Sequence, residues 1–458
     1  MKKFLCAFLV LPVLLVCGIK AQTASADPAL LAEINRIKAV DNHGHPLPFL
    51  KDGETDSERG VQPDFIPPEY LPVLLRSTNP AYLEAWRELY GYKYNDTSEP
   101  HLQELRLAKR RVINEKGAGY PAWVLDRLGI ETMFANVETG FGNNLKINRG
   151  LGAPRFQWVC RGSLLLFPLN NEEAKKSNPQ RNEDFTNYER SLKKILVESK
   201  INQIPATLDD YLNKIVIPFL EQKKKDGAIA IKFTTAYVRS LDFADVPEVE
   251  ARRIYTKYSN NIAVTPDAAE YKALQDFLFR RIALEAGRLN LPVHVHVGAG
   301  EGGWFYNSTA SPFLLDSVLN DPKLRKTKFV LIHGGLPNAQ PTRFLLDKEN
   351  VYADFSSQGF LTSTRDLSSV IRSWLEFMPE KVLFGTDAYP LTTTVGWEEI
   401  GWLTTKSARL ALAMALTEMM KDGEITRARA SELARMVMRE NAIKLYGLTP
   451  VSASFAAK

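Results

Sequence analysis

Cysteine is almost missing from this chain, with three in 458 residues. Cys6 and Cys17 lie close to the start, which leaves Cys160 without a partner. No internal disulfide can brace the protein, so its core must hold it together. Runs of one charge are missing too. Lys and Arg total 58 against 53 Asp and Glu, a formal net charge of +5. Without a long basic stretch, nucleic acid and anionic membrane surfaces are not the expected partners. No apolar run reaches the roughly 20 residues that a membrane span requires. Internal repeats and low-complexity linkers are absent as well, so nothing marks a domain boundary. Histidine is also scarce, with six residues, but its distribution is far from random.

The N-terminus has the layout of a secretory signal. Lys2 and Lys3 precede an apolar run from Phe4 to Gly18, interrupted by Pro12, and Ala24-Ser25-Ala26 offers small residues for cleavage. The expected signal peptide spans residues 1–26. Val16 stands where a lipoprotein signal needs a small residue before Cys17, which disfavours lipid attachment. Removing Lys2, Lys3 and Lys20 lowers the formal charge from +5 to +2. The expectation is a periplasmic or secreted protein with no stable membrane insertion, residues 27–458 forming a single domain. Its oligomeric state, a homo-oligomer included, stays open.

Eight apolar, β-branched-rich runs read as buried strands: Ala39–His43, Glu131–Val137, Phe156–Cys160, Ala228–Phe233, Pro292–Val297, Lys328–His333, Val351–Phe355 and Lys381–Thr386. Helical periodicity marks Pro266–Asn290, Ser311–Leu319, Arg365–Met378 and Lys406–Lys421 between them. Strands that are apolar on both faces and alternate with helices imply parallel pairing with crossover connections. Eight such units predict an α/β fold of the closed (β/α)8, or TIM-barrel, kind. Long segments after the first strand (Pro46–Gly117) and the third (Leu169–Asp226) predict helical insertions, with helices near Tyr82–Tyr90, Leu102–Val112 and Leu208–Lys225. An extra C-terminal helix, Thr426–Leu448, should lie outside or beneath the barrel, stopped by Gly447 and Pro450.

Five of the six histidines fall in three short motifs at strand ends: His43-Gly-His45, His294-Val-His296 and Ile332-His333-Gly334. Residues i and i+2 of a strand share a face, so each HxH pair aims two imidazoles at one point. Neutral imidazole is a ready ligand for zinc and related divalent metals. Gly44 should let the backbone approach such an ion. His43 and His45 are expected ligands, and so is His296, which lies nearer its strand end than His294. His294 is left to hydrogen-bond a neighbour or contact substrate. His333 fits either a second metal ion or acid–base work. Asp387 follows a buried strand, where an unpaired carboxylate is costly, and both ligation and proton transfer suit it. Lys232 lies in the apolar run Ala228–Phe233, where a buried ammonium needs an anion or a lowered pKa. It could become a carbamate bridging two metals or stay cationic and hold a substrate carboxylate. Tyr237 and Arg239 are candidate contacts for an anionic substrate.

With HxH near the start, Lys232 on the fourth strand, His296 on the fifth, His333 on the sixth and Asp387 at the last, the chain resembles the amidohydrolase superfamily. "VDNHGHP", "LIHGG" and "VLFGTDAYP" are similar to its amidohydrolase-2 branch, and "PVHVHVGAGEGG" resembles FluG-like proteins. The likeness runs from about Ile37 to Leu448. It implies a distorted TIM barrel with its metal at the carboxyl face. His43, His45, His296 and Asp387 fit the mononuclear ligand positions, and His333 the acid–base position. If Lys232 is carboxylated, it and His333 help to hold a second ion. The expected function is metal-dependent hydrolysis of a C–N bond in an amide or cyclic amide, or of a lactone, with one or two divalent ions, zinc foremost. Non-oxidative decarboxylation of a carboxylic acid and a non-catalytic metal-binding domain are the rival readings. The expected partner is a small-molecule substrate.

Overall fold

The computed structural model describes residues 25–49, 71–136, 150–300, 305–392 and 394–449. Most of the expected signal peptide therefore lies outside the described residues. All eight expected strands form: β1 (Ala39–Gly44), β2 (Ile130–Ala135), β3 (Phe156–Arg161), β4 (Ala230–Phe233), β5 (Val293–His296), β6 (Phe329–Ile332), β7 (Val351–Asp354) and β8 (Val382–Leu383). Each pairs in parallel with the next, in the order β1 to β8. The ring closes through the segment that follows β8. Asn42 N–H donates to Phe384 O at 2.9 Å, Asp387 N–H to His43 O at 2.7 Å and His45 N–H to Ala388 O at 2.7 Å. Asp41 clasps the seam, its carboxylate accepting from Thr386 N–H at 2.9 Å and Thr386 Oγ1–H at 2.6 Å. The eight parallel strands and their helices make a (β/α)8 TIM barrel.

Strand alternation divides the apolar side chains into two sets. One set packs outwards against the helices. The other, including Val40, Phe134, Val159, Ala230, Val330 and Leu383, fills the barrel and meets Ala442 and Leu445. These last two belong to the C-terminal helical stretch, Arg427–Arg435 and Asn441–Tyr446 joined by a π turn at Met436–Glu440, which Gly447 ends at φ 65°. The helix is thus a stopper beneath the barrel. Leu445→Ala should open a cavity there and cost about 2–5 kcal/mol, read as a lower denaturation midpoint at unchanged slope.

Both insertions are helical in their described parts. Pro80–Tyr90, Glu99–Lys116 and Tyr120–Leu128 follow β1, and Asn182–Glu198 and Ile217–Lys225 follow β3. The helix expected to begin at Lys406 begins at Trp397 instead, and its first turns, Trp397 to Thr405, are buried on every side. A helix with no exposed face carries no amphipathic period to read. Cys160 is a buried free thiol, pushed up to about 12 by burial and so chemically quiet. Among the described residues no helix is long and apolar enough to cross a membrane.

Candidate metal centre

The carboxyl ends of the strands gather the predicted residues. His43 lies in β1 one residue before its end and His45 one residue beyond it, while Asp387 follows β8 across the seam. His43 Nε2 and His45 Nε2 stand 3.1 Å and 3.3 Å from the same oxygen, Asp387 Oδ1. Ligand atoms of all three residues lie within 4.8 Å of one another. Asn136 Nδ2 approaches His43 Nδ1 at 2.7 Å, which steadies the ring with Nε2 towards the centre. At Gly44 an added Cβ would stand 2.9 Å from Met133 Sδ on β2.

A second group lies beside the first. Lys232 Nζ is 3.3 Å from His43 Nε2, and His333 Nε2 is 3.2 Å from His296 Nδ1. Asp387 Oδ2 lies 3.9 Å from His333 Nδ1 and accepts a hydrogen bond from Ser357. The HxH parity on β5 holds, but the two imidazoles occupy different depths. His296 meets His333, whereas His294, one step deeper, places Nε2 2.6 Å from the Tyr446 hydroxyl of the C-terminal stopper. A rise of about 3.3 Å per residue separates i from i+2 by a full layer of side chains. Tyr237 packs its ring 4.6 Å from that of His296. Arg239 does not join the group. Its guanidinium donates to Asp276 at 2.6 Å and Gln275 at 3.1 Å, and it stacks on Phe243.

These donors are in the forms that bind a divalent cation. Burial, with the nearby Lys232, pushes His43 down to about 3. Burial also holds His296 and His333 well below the usual histidine range, so all three imidazoles are neutral. It would raise Asp387, but the neighbouring His333 and His43 and the hydrogen bonds from His43 and His45 outweigh it and hold the carboxyl well below its usual range. His43, His45 and the ionised Asp387 carboxylate, converging within 4.8 Å, suit a metal ion. Lys232, lowered to about 8 by burial against the pull of Asp387 and Asp354, has an unusually accessible neutral amine.

Several residues at the centre escaped the sequence reading. Asp354 closes β7 and is fully buried, and Ser356 and Ser357 follow it towards His333. The signal that singled out Asp387, a carboxylate directly after a buried strand, was present for Asp354 as well. Backbone strain was not readable at all. Among the described residues five non-glycines have positive φ, and three of them are His333 (69°), Ser357 (63°) and Asp387 (54°). Such conformations cost about 1–3 kcal/mol each and persist where the surroundings over-determine them, commonly at functional sites.

An eight-stranded barrel with a histidine–aspartate cluster at its carboxyl face is the architecture of a barrel enzyme. Residues 232–448 match the family model described as Amidohydrolase. A 243-residue stretch, half of this chain, is 24% identical to protein fluG of Emericella nidulans, of whose length it spans 27%. The family match places residues 232–448, a little under half of the chain, with the amidohydrolase superfamily. Solved structures share the fold at low identity. A protein described as a metal-dependent hydrolase from Lactobacillus casei is 16% identical with a TM-score of 0.61, over 91% of this chain and 97% of that one. Glucuronate isomerase from Caulobacter crescentus is 14% identical with a TM-score of 0.61, over 93% and 94%. Uronate isomerase from Thermotoga maritima is 14% identical with a TM-score of 0.57, over 92% and 98%.

Proposed function

We propose that the protein is an exported, metal-dependent hydrolase that cuts a C–N bond in an amide or cyclic amide, or the C–O bond of a lactone, in a small molecule. The observation that carries this reading is the convergence of His43, His45 and Asp387 within 4.8 Å at the carboxyl face of an amidohydrolase barrel. His43, His45, Asp387 and the neighbouring His296 would hold a divalent cation, zinc foremost. When bound, it supplies Lewis acidity that acidifies a water molecule and polarises a carbonyl.

The chain's own residues supply the proton traffic. Asp387, ionised at neutral pH, accepts the proton of the attacking water on its carboxylate. His333, whose Nε2 lies 3.2 Å from His296 Nδ1, is placed to take up a proton there and pass it to the leaving group. Tyr237, against His296, forms a wall for the substrate. His294, held by Tyr446, serves the floor of the site. Lys232 has two roles open to it. As a carbamate it would, with His333, help to hold a second cation; as an ammonium it would hold a substrate carboxylate.

Metal content per chain, the intact mass around Lys232 and a turnover screen over amides, cyclic amides and lactones test the proposal together. Hydrolysis that stops on chelation and returns with metal is the expected result. Carbon dioxide released from carboxylic acids without water uptake would replace it with decarboxylation, a reading already weakened because Arg239 is engaged by Asp276. Stoichiometric metal with no turnover across the screen would leave a binding domain. For Lys232, two cations per chain should fall to one in Lys232→Ala if the carbamate forms, as elemental analysis would report.

A further inference from the structure

His333 is held from its Nδ1 side by two hydroxyls. Ser356 Oγ and Ser357 Oγ each lie 2.9 Å from His333 Nδ1. A hydroxyl has one proton to give. Ser356 gives its proton to Asp354 Oδ1 at 2.6 Å, and Ser357 gives its proton to Asp387 Oδ2. An ionised carboxylate only accepts, so neither hydroxyl proton can turn back towards the imidazole.

Asp354 is itself tightly determined. Its Oδ1 also accepts from His333 N–H at 2.8 Å and Ser356 N–H at 3.2 Å, and its Oδ2 accepts from Asn42 Nδ2–H at 2.7 Å. The Asn42 amide is held in that orientation because its Oδ1 accepts from the Tyr446 hydroxyl at 2.6 Å. Every group around Asp354 is a donor, which favours the ionised carboxylate against the burial that raises its pKa.

We propose that Asp354, Ser356 and Ser357 are positioning residues that lock His333 as the Nδ1–H tautomer, so that Nε2 is its one working atom. Both serine oxygens then accept from Nδ1–H, and Nε2 keeps its lone pair. His296 is set the opposite way. Its Nε2 faces Ala299 O at 3.1 Å and must donate there, so its Nδ1 is bare. The bare Nε2 of His333 and the bare Nδ1 of His296 meet at 3.2 Å, offering a cation or a transferring proton two lone pairs on one side. A free imidazole would divide itself between tautomers and present the wrong nitrogen part of the time. The positive φ of His333 and Ser357 has a reason here, since it brings the ring and the hydroxyl into register.

The inference builds on the metal-centre reading, but its first test needs neither metal nor substrate. Metal-free protein labelled with 15N-histidine, with His333→Gln to assign the signal, should show His333 protonated on Nδ1 and bare on Nε2 at neutral pH. Ser356→Ala combined with Ser357→Gly removes both hydroxyls, and glycine suits the positive φ at 357. That variant should show mixed tautomers and bind zinc about 10–100-fold more weakly. A wild-type His333 protonated on Nε2 or on both nitrogens would overturn the lock, and so would a double variant with an unchanged tautomer. Protein with the Nδ1–H tautomer that takes up no zinc would sink the metal reading and leave the lock standing.

Discussion

Asp387→Asn should lower kcat/KM by about 10³-fold or more, since a positioned general base contributes roughly 10²–10⁴ and this carboxylate also belongs to the metal site. The substitution is mild structurally. Asp387 has a φ of 54°, and asparagine is one of the few residues that tolerate this region, whereas alanine would add strain. The amide oxygen can still accept from Ser357. The melting temperature of the metal-free protein should therefore stay close to that of the parent, while activity against any substrate found in the screen disappears. An active, metal-loaded Asp387→Asn enzyme would remove the proton-transfer role from this residue.

His45→Ala should have the second large effect, this time on metal affinity. Replacing an outer partner of a metal ligand costs about 10–100-fold, so losing a direct donor should cost more. His45 is the better choice for this experiment because its side chain is 32% exposed, against 2% for His43. Truncating His43 would leave a cavity as well as a missing ligand. At zinc concentrations about 100 times the parent's Kd, binding raises the parent's stability by about 2.7 kcal/mol. His45→Ala should lose most of that increment and little else. Thermal melts with and without zinc read both quantities, and a variant with undiminished zinc-dependent stabilisation would remove His45 from the centre.

The strands were legible because they are buried on both faces, so apolar runs such as Phe329–Ile332 stand out without any alternation. The histidine motifs were legible because HxH is rare and strand geometry gives it one meaning. Less could be read where position depends on the rest of the barrel. His294 and His296 share a face, as their spacing says, but depth decides which one reaches His333 and which one reaches Tyr446. Arg239 carries the same charge whether it faces a substrate or Asp276, and only the packing of the Ala268–Arg288 helix decides between them. Ser356 and Ser357 resemble any polar pair after a strand. Their meaning comes from two carboxylates, Asp354 and Asp387, that claim both hydroxyl protons.

The stopper beneath the barrel has a consequence for how the protein is made. Tyr446 bonds to Asn42 across 404 residues of sequence, so the first strand's amide gains its final partner only when the last helical turn has been synthesised. A ribosome that halts after residue 440 would release a product carrying every candidate ligand but no floor to hold His294 and Asn42 in place. Such a fragment should be less stable than the full-length protein and bind metal more weakly, since the loss falls on the residues that support the site from below.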